Sequence, residues 1–179
     1  MKKCVFLDRD GVINVDCVDY TYKVEEFVII KGVGEALKLL KDHGYLLVVV
    51  TNQSGIVKGI YDHGDMRACH DYLQKETGYL IDYFYYSPYH EKHTASLSRK
   101  PGTLMFEKAI ARFDIDVENS WMIGDKERDM APARKMGIRT ILIPDDGKST
   151  KSSDYMADGL LDAARFIVEK EKVMVSESV

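Results

Sequence analysis

Cys4-Val5-Phe6-Leu7-Asp8-Arg9-Asp10-Gly11-Val12 opens with a short apolar run that ends abruptly in two acids and a glycine. Such a run predicts a buried first strand, and the acids mark where it leaves the core. Outward from it, strand and helix patterns alternate. Val33, Ala36, Leu37, Leu39 and Leu40 recur at helical spacing, so a helix is expected over Val33–His43, stopped by Gly44. Tyr45–Val50 is a continuous apolar run, typical of a parallel strand covered on both faces. Met66–Glu76 reads as a helix and Ile81–Tyr86 as a strand. Leu104–Phe113 reads as a helix with Thr103 as its cap. Trp121–Ile123 and Thr140–Ile143 read as strands, Asp129–Met136 as a helix stopped by Gly137, and Leu160–Glu169 as a last helix.

This order predicts an α/β fold in which helices cover both faces of an open parallel sheet. One domain is expected over residues 1–173, with a loose tail at 174–179. Open parallel sheets place their sites beyond the carboxyl ends of the strands, at a topological switch point. The residues just after each strand are therefore the informative ones.

Composition narrows the classes. The chain has 179 residues, 45% apolar and 30% charged, the balance of a soluble globular protein. A formal net charge of −4 gives nucleic acid no basic footprint. Three cysteines, Cys4, Cys17 and Cys69, form no disulfide framework, and a reducing cytoplasm is expected. The N-terminal apolar run is too short for a signal peptide, and no window holds the roughly 18–20 apolar residues of a membrane span. Nothing in the pattern demands a partner chain, so a monomer is expected.

Four post-strand motifs carry chemistry. Asp8 and Asp10 place two carboxylates around a glycine turn, although strand ends are also often acidic and solvated. Thr51-Asn52-Gln53-Ser54-Gly55 offers a hydroxyl and turn N–H groups to an anion, or merely caps a helix. In Arg99-Lys100-Pro101 the proline restricts the lysine backbone and can aim its ammonium, although a loop lysine is commonly just solvated. Gly124-Asp125-Lys126-Glu127-Arg128-Asp129 opens a helix, where first-turn acids also complement the dipole; Asp129 is read mainly that way.

In this order (acid pair, hydroxyl, lysine, acid, each after a strand) the four motifs resemble those of the haloacid-dehalogenase (HAD) superfamily. The resemblance spans Asp8 to Asp129. Phe6 to Asn14, Thr51 to Ile56, Arg99 to Pro101 and Gly124 to Lys126 further resemble the subfamily of heptose bisphosphate phosphatases and histidinol-phosphatases. It implies a Rossmann-like three-layer fold without a large cap domain, and the short spacing agrees.

The resemblance also implies roles. Asp8 is the nucleophile that forms an aspartyl-phosphate. Asp10 is the general acid and then base, which calls for a raised pKa. Magnesium is held by the Asp8 carboxylate, the Asp10 backbone carbonyl and Asp125. Thr51 and the N–H groups after it hold the phosphoryl oxygens, with Asn52, Gln53 and Ser54 among the substrate-binding residues, and Lys100 neutralises charge. Arg99 and Lys126 resemble substrate-orienting residues, and Lys58 is either a helper or a solvated side chain.

Many members of the subfamily hold a structural zinc in a loop before the Arg-Lys-Pro motif. Here Ser87, Ser96 and Ser98 stand where thiolates are expected, and no cysteine follows Cys69, so zinc is not expected. His90 and His93, with Glu91, leave a two-histidine metal site open. The implied activity is magnesium-dependent removal of the 7-phosphate of a heptose 1,7-bisphosphate, in the making of nucleotide-activated heptose. The anomer is not specified. The alternatives are a histidinol-phosphatase, a general small-phosphate phosphatase, or an inactive phosphate-binding module. Histidinol phosphate is cationic and calls for an acidic pocket, whereas Arg99 and Lys126 suit a bisphosphate.

Overall fold

The computed structural model describes residues 1–144 and 153–176. Among these residues, six strands form one parallel sheet: β1 (Cys4–Leu7), β2 (Leu46–Asn52), β3 (Tyr83–Ser87), β4 (Trp121–Gly124), β5 (Arg139–Leu142) and β6 (Tyr155–Met156). Their order is β3-β2-β1-β4-β5-β6, so the direction of winding reverses at β1. Strand β1 pairs with β2 from Cys4↔Leu46 to Leu7↔Val49 and with β4 from Val5↔Trp121 to Leu7↔Ile123. The expected parallel α/β sheet is therefore present, with the first strand at its centre.

The pleat explains the three layers. Successive residues of a strand face opposite sides. Val5 and Leu7, with Leu47, Val49, Ile123 and Ile141, pack against helices α1 (Val33–Asp42) and α5 (Leu160–Ser176) and against Cys69 and Leu73 of α2 (His63–Glu76). Cys4 and Phe6, with Val48, Val50, Met122 and Leu142, pack against α3 (Leu104–Phe113) and α4 (Glu127–Lys135). Phe6 meets Phe106 with ring centroids 5.1 Å apart. Each such fully buried side chain contributes about 1.5–3 kcal/mol of apolar transfer.

Most expected elements appear, with boundaries moved by polar interactions that apolar spacing does not register. Helix α2 starts at His63 rather than Met66 because Asp62 caps it, accepting from Gly64 N at 2.6 Å and Asp65 N at 3.0 Å. Helix α4 starts at Glu127, two residues before the expected Asp129, since Asp129 Oδ2 accepts the Lys126 N–H at 3.1 Å. Thr103 makes no side-chain cap; its hydroxyl bonds to Glu107 instead. Strand β6 and a 3-10 turn at Val24–Glu26 are too short to give a periodic signal. Residues 174–176 of the expected tail continue α5, and 177–179 lie outside the described residues. No large cap is inserted among the described residues, and no helix there is long and apolar enough to cross a membrane.

Candidate active site

Strand β1 delivers Asp8 at the switch point, where the chains leaving β2 and β4 diverge. Asp8 is 3% exposed, and its N–H donates to Ile123 O at 3.0 Å. Its Oδ1 accepts the Arg9 N–H at 2.7 Å and lies 3.0 Å from Lys100 Nζ. Burial pushes the Asp8 carboxyl up to about 7; Asp129 and Asp10 add to the rise, while Lys100 opposes it.

Lys100 joins the site from the loop after β3, its side chain wholly buried. Nζ lies 2.6 Å from Asp129 Oδ1 and donates to Val50 O at 2.6 Å. Burial works against its charge, but Asp129 and Asp8 overcome it and raise its pKa. Asp125 and Asp129 arrive after β4. Asp8, Asp125 and Asp129 each present a carboxylate oxygen, all within 4.8 Å of one another. Asp125 Oδ1 is buried without a hydrogen-bond partner. A cluster of buried oxygens with unmet acceptor capacity fits a hard divalent cation such as magnesium. Gly11 is required beside it: φ is +83°, and a Cβ would stand 2.5 Å from Asp125 Oδ2.

The structure brings Asp8, Asp10, Thr51, Lys100 and Asp125 together and revises several finer expectations. Asp10 does not have the raised pKa that a resting acid calls for. Burial acts to raise it, but the Arg9 ion pair (2.7 Å) and bonds from Asn14 (3.0 Å) and Gln53 (3.0 Å) lower it. Asn52 and Gln53 turn inward. The Asn52 amide brackets the Lys100 backbone, and Gln53, 1% exposed, donates to Asp10 Oδ2 and Thr51 Oγ1. The Gln53 N–H is engaged by Ser87 O, so the N–H groups of Ser54 and Gly55, which have no backbone acceptor among the described residues, are the ones open to an anion.

Arg99, Lys126 and Lys58 stand at the rim, each tied to an acid or a phenol. Arg99 donates to Glu91 Oε2 at 2.8 Å, Lys126 bridges Asp16 (2.9 Å) and Asp125 (2.8 Å), and Lys58 meets the Tyr20 hydroxyl at 2.6 Å. The serine loop is held by hydroxyls: Ser98 Oγ lies 3.0 Å from Ser87 Oγ and 2.8 Å from Ser96 Oγ. His90 and His93 sit nearby with ring centroids 6.3 Å apart, but Glu91 is engaged by Arg99.

Two further residues help build the site. Asp129, expected to act mainly as a dipole acid, is fully buried against Lys100; its four-residue spacing from Asp125 is the available sequence signal. Arg9, 1% exposed, ties Asp10 to the loop through Thr21 O at 2.8 Å, and nothing in its local sequence announces that burial.

A family model described as HAD-hydrolase-like matches residues 97–163. A D-glycero-β-D-manno-heptose-1,7-bisphosphate 7-phosphatase of Haemophilus ducreyi is 36% identical, over 93% of this chain and 98% of its own. The chain belongs to the HAD-like hydrolases. A D-glycero-α-D-manno-heptose-1,7-bisphosphate 7-phosphatase of Campylobacter jejuni is 37% identical to this HAD-like hydrolase, over 94% of this chain and 98% of its own. The crystal structure of a D,D-heptose 1,7-bisphosphate phosphatase from B. bronchiseptica, complexed with magnesium and phosphate, shares the fold. Its TM-score is 0.85 at 24% identity, covering 94% of this chain and 99% of that one.

Proposed function

We propose that this HAD-like hydrolase removes the 7-phosphate of a D-glycero-D-manno-heptose 1,7-bisphosphate through an aspartyl-phosphate on Asp8, in the making of nucleotide-activated heptose. One observation carries the reading. Lys100, from the loop after β3, and Asp125 and Asp129, from the turn after β4 and the first turn of α4, close around the buried carboxylate that follows the central strand. The named relatives align over nearly their whole length, which supports the sugar bisphosphate as substrate.

Asp8 attacks phosphorus as the ester oxygen departs, and Asp10 delivers a proton to that oxygen. Asp10 then takes a proton from the water that attacks the acyl phosphate. The depressed pKa of Asp10 means that it takes up its proton as the substrate arrives, because a phosphoryl dianion beside a carboxylate raises its pKa. Thr51 and the N–H groups of Ser54 and Gly55 receive phosphoryl oxygens, while Lys100 keeps positive charge beside Asp8. Asp8, Asp125, Asp129 and the Asp10 carbonyl would hold magnesium, which when bound offsets the repulsion between carboxylate and phosphate. Arg99, Lys126 and Lys58, all at the rim, suit the second phosphate better than a cationic substrate.

The test is kcat/KM with magnesium on the α- and β-heptose 1,7-bisphosphates and on histidinol phosphate. One heptose anomer is expected to lead. A higher value for histidinol phosphate would overturn the substrate assignment, and an Asp8→Asn variant with normal turnover would overturn the nucleophile.

A further inference from the structure

Tyr61 lies outside all four motifs, yet it is 6% exposed and its hydroxyl donates to Gln53 Oε1 at 2.7 Å. Two other tyrosines pack against its ring. Tyr22 stacks on it at 5.1 Å and 9°, and Tyr20 meets it edge-on at 6.0 Å. Gly55 leaves the space it needs, because a Cβ there would stand 2.0 Å from Tyr61 Cε1. Burial raises the phenol pKa further, so the hydroxyl keeps its proton.

The far side of the Gln53 amide faces the chemistry: Nε2 donates to Asp10 Oδ2 and to Thr51 Oγ1, both at 3.0 Å. A primary amide can rotate by half a turn and exchange its donor for its acceptor. We propose that Tyr61 is a positioning residue for the phosphatase reaction, acting through Gln53. By occupying Oε1, its hydroxyl keeps the amide N–H groups on Asp10 and Thr51. Without that hydroxyl the amide is free to turn its oxygen toward Asp10. Turned that way, it withdraws the N–H that Asp10 Oδ2 accepts and leaves that carboxyl less well held for its part at the leaving oxygen. Thr51 loses its donor in the same movement.

This rests on the phosphatase reading above, and the test separates the two. Tyr61→Phe keeps the ring and removes only the donor. p-Nitrophenolate leaves as a stable anion without a proton, whereas a sugar alkoxide needs one. The variant should therefore lose about tenfold or more in kcat/KM on heptose 1,7-bisphosphate. Its loss on p-nitrophenyl phosphate should be several-fold smaller. In a Gln53→Met background, adding Tyr61→Phe should change neither substrate further. Equal losses on both substrates, no loss, or additive losses in the double variant would overturn the proposal. Wild-type turnover of the two substrates reports separately on the phosphatase reading. A readout that needs no activity is the side-chain amide NMR signal of Gln53. It should be slowly exchanging in the wild type and exchange faster in Tyr61→Phe; unchanged exchange would also overturn the proposal.

Discussion

Asn52 closes a two-way hydrogen bond on the backbone of Lys100: its Oδ1 accepts the Lys100 N–H at 2.9 Å, and its Nδ2 donates to the Lys100 carbonyl at 3.0 Å. The end of β2 thereby fixes the loop that carries the buried ammonium. Asn52→Ala should lower kcat by about 10–100-fold with little change in KM, because it displaces a catalytic charge instead of removing a substrate contact. Steady-state kinetics on the preferred sugar phosphate checks this; a KM effect alone would return Asn52 to substrate binding.

Lys100 is the cation placed directly between Asp8 and Asp129. Lys100→Met should cut kcat/KM by about 10²–10³-fold. It should also destabilise the metal-free protein by about 3–5 kcal/mol, since it strands buried carboxylates. Urea melts in EDTA should show part of that loss recovered at pH 5 relative to pH 8, as Asp8 takes up a proton.

Asp8 is raised from 3.8 to about 7 on folding, and Asp125 is raised in the same direction, chiefly by burial. A carboxyl whose folded pKa lies above its unfolded value favours the fold below the unfolded pKa. That contribution fades as the pH rises toward 7. The metal-free protein should therefore lose thermal stability across that window, and Asp8→Asn should flatten the slope. Magnesium added at pH 7.5 should raise Tm in the wild type. Differential scanning fluorimetry across pH, with and without magnesium, reads all three.

Gly11 faces the Asp125 carboxylate at a backbone angle that favours glycine. Gly11→Ala should displace Asp125 and raise the magnesium concentration needed for half-maximal activity by about tenfold or more. A magnesium titration of turnover checks this, and an unchanged midpoint would show that Asp125 tolerates the displacement.

The fold and the main site residues were legible because they are local patterns. A continuous apolar run such as Tyr45–Val50 identifies a strand wherever it lies, and an acid, hydroxyl or lysine at a strand's end can be located by position alone. Partnerships were not legible. Asn52 and Gln53 looked like turn residues open to substrate, and only the folded chain shows their amides engaged on Lys100 and Asp10, 48 and 43 positions away in the sequence. Asp129 has the sequence position of a dipole acid, and only the fold sets Lys100 against it.

By itself, then, the sequence determined the five longer strands and which residues stand beyond their ends, since hydrophobic periodicity and residue chemistry act at short range. The tertiary structure alone decided how those residues are placed and paired: the partners that lower the Asp10 pKa, the inward turn of Gln53, and the pairing of Lys100 with two acids. Each depends on burial and on partners that only the packed sheet brings within hydrogen-bond distance.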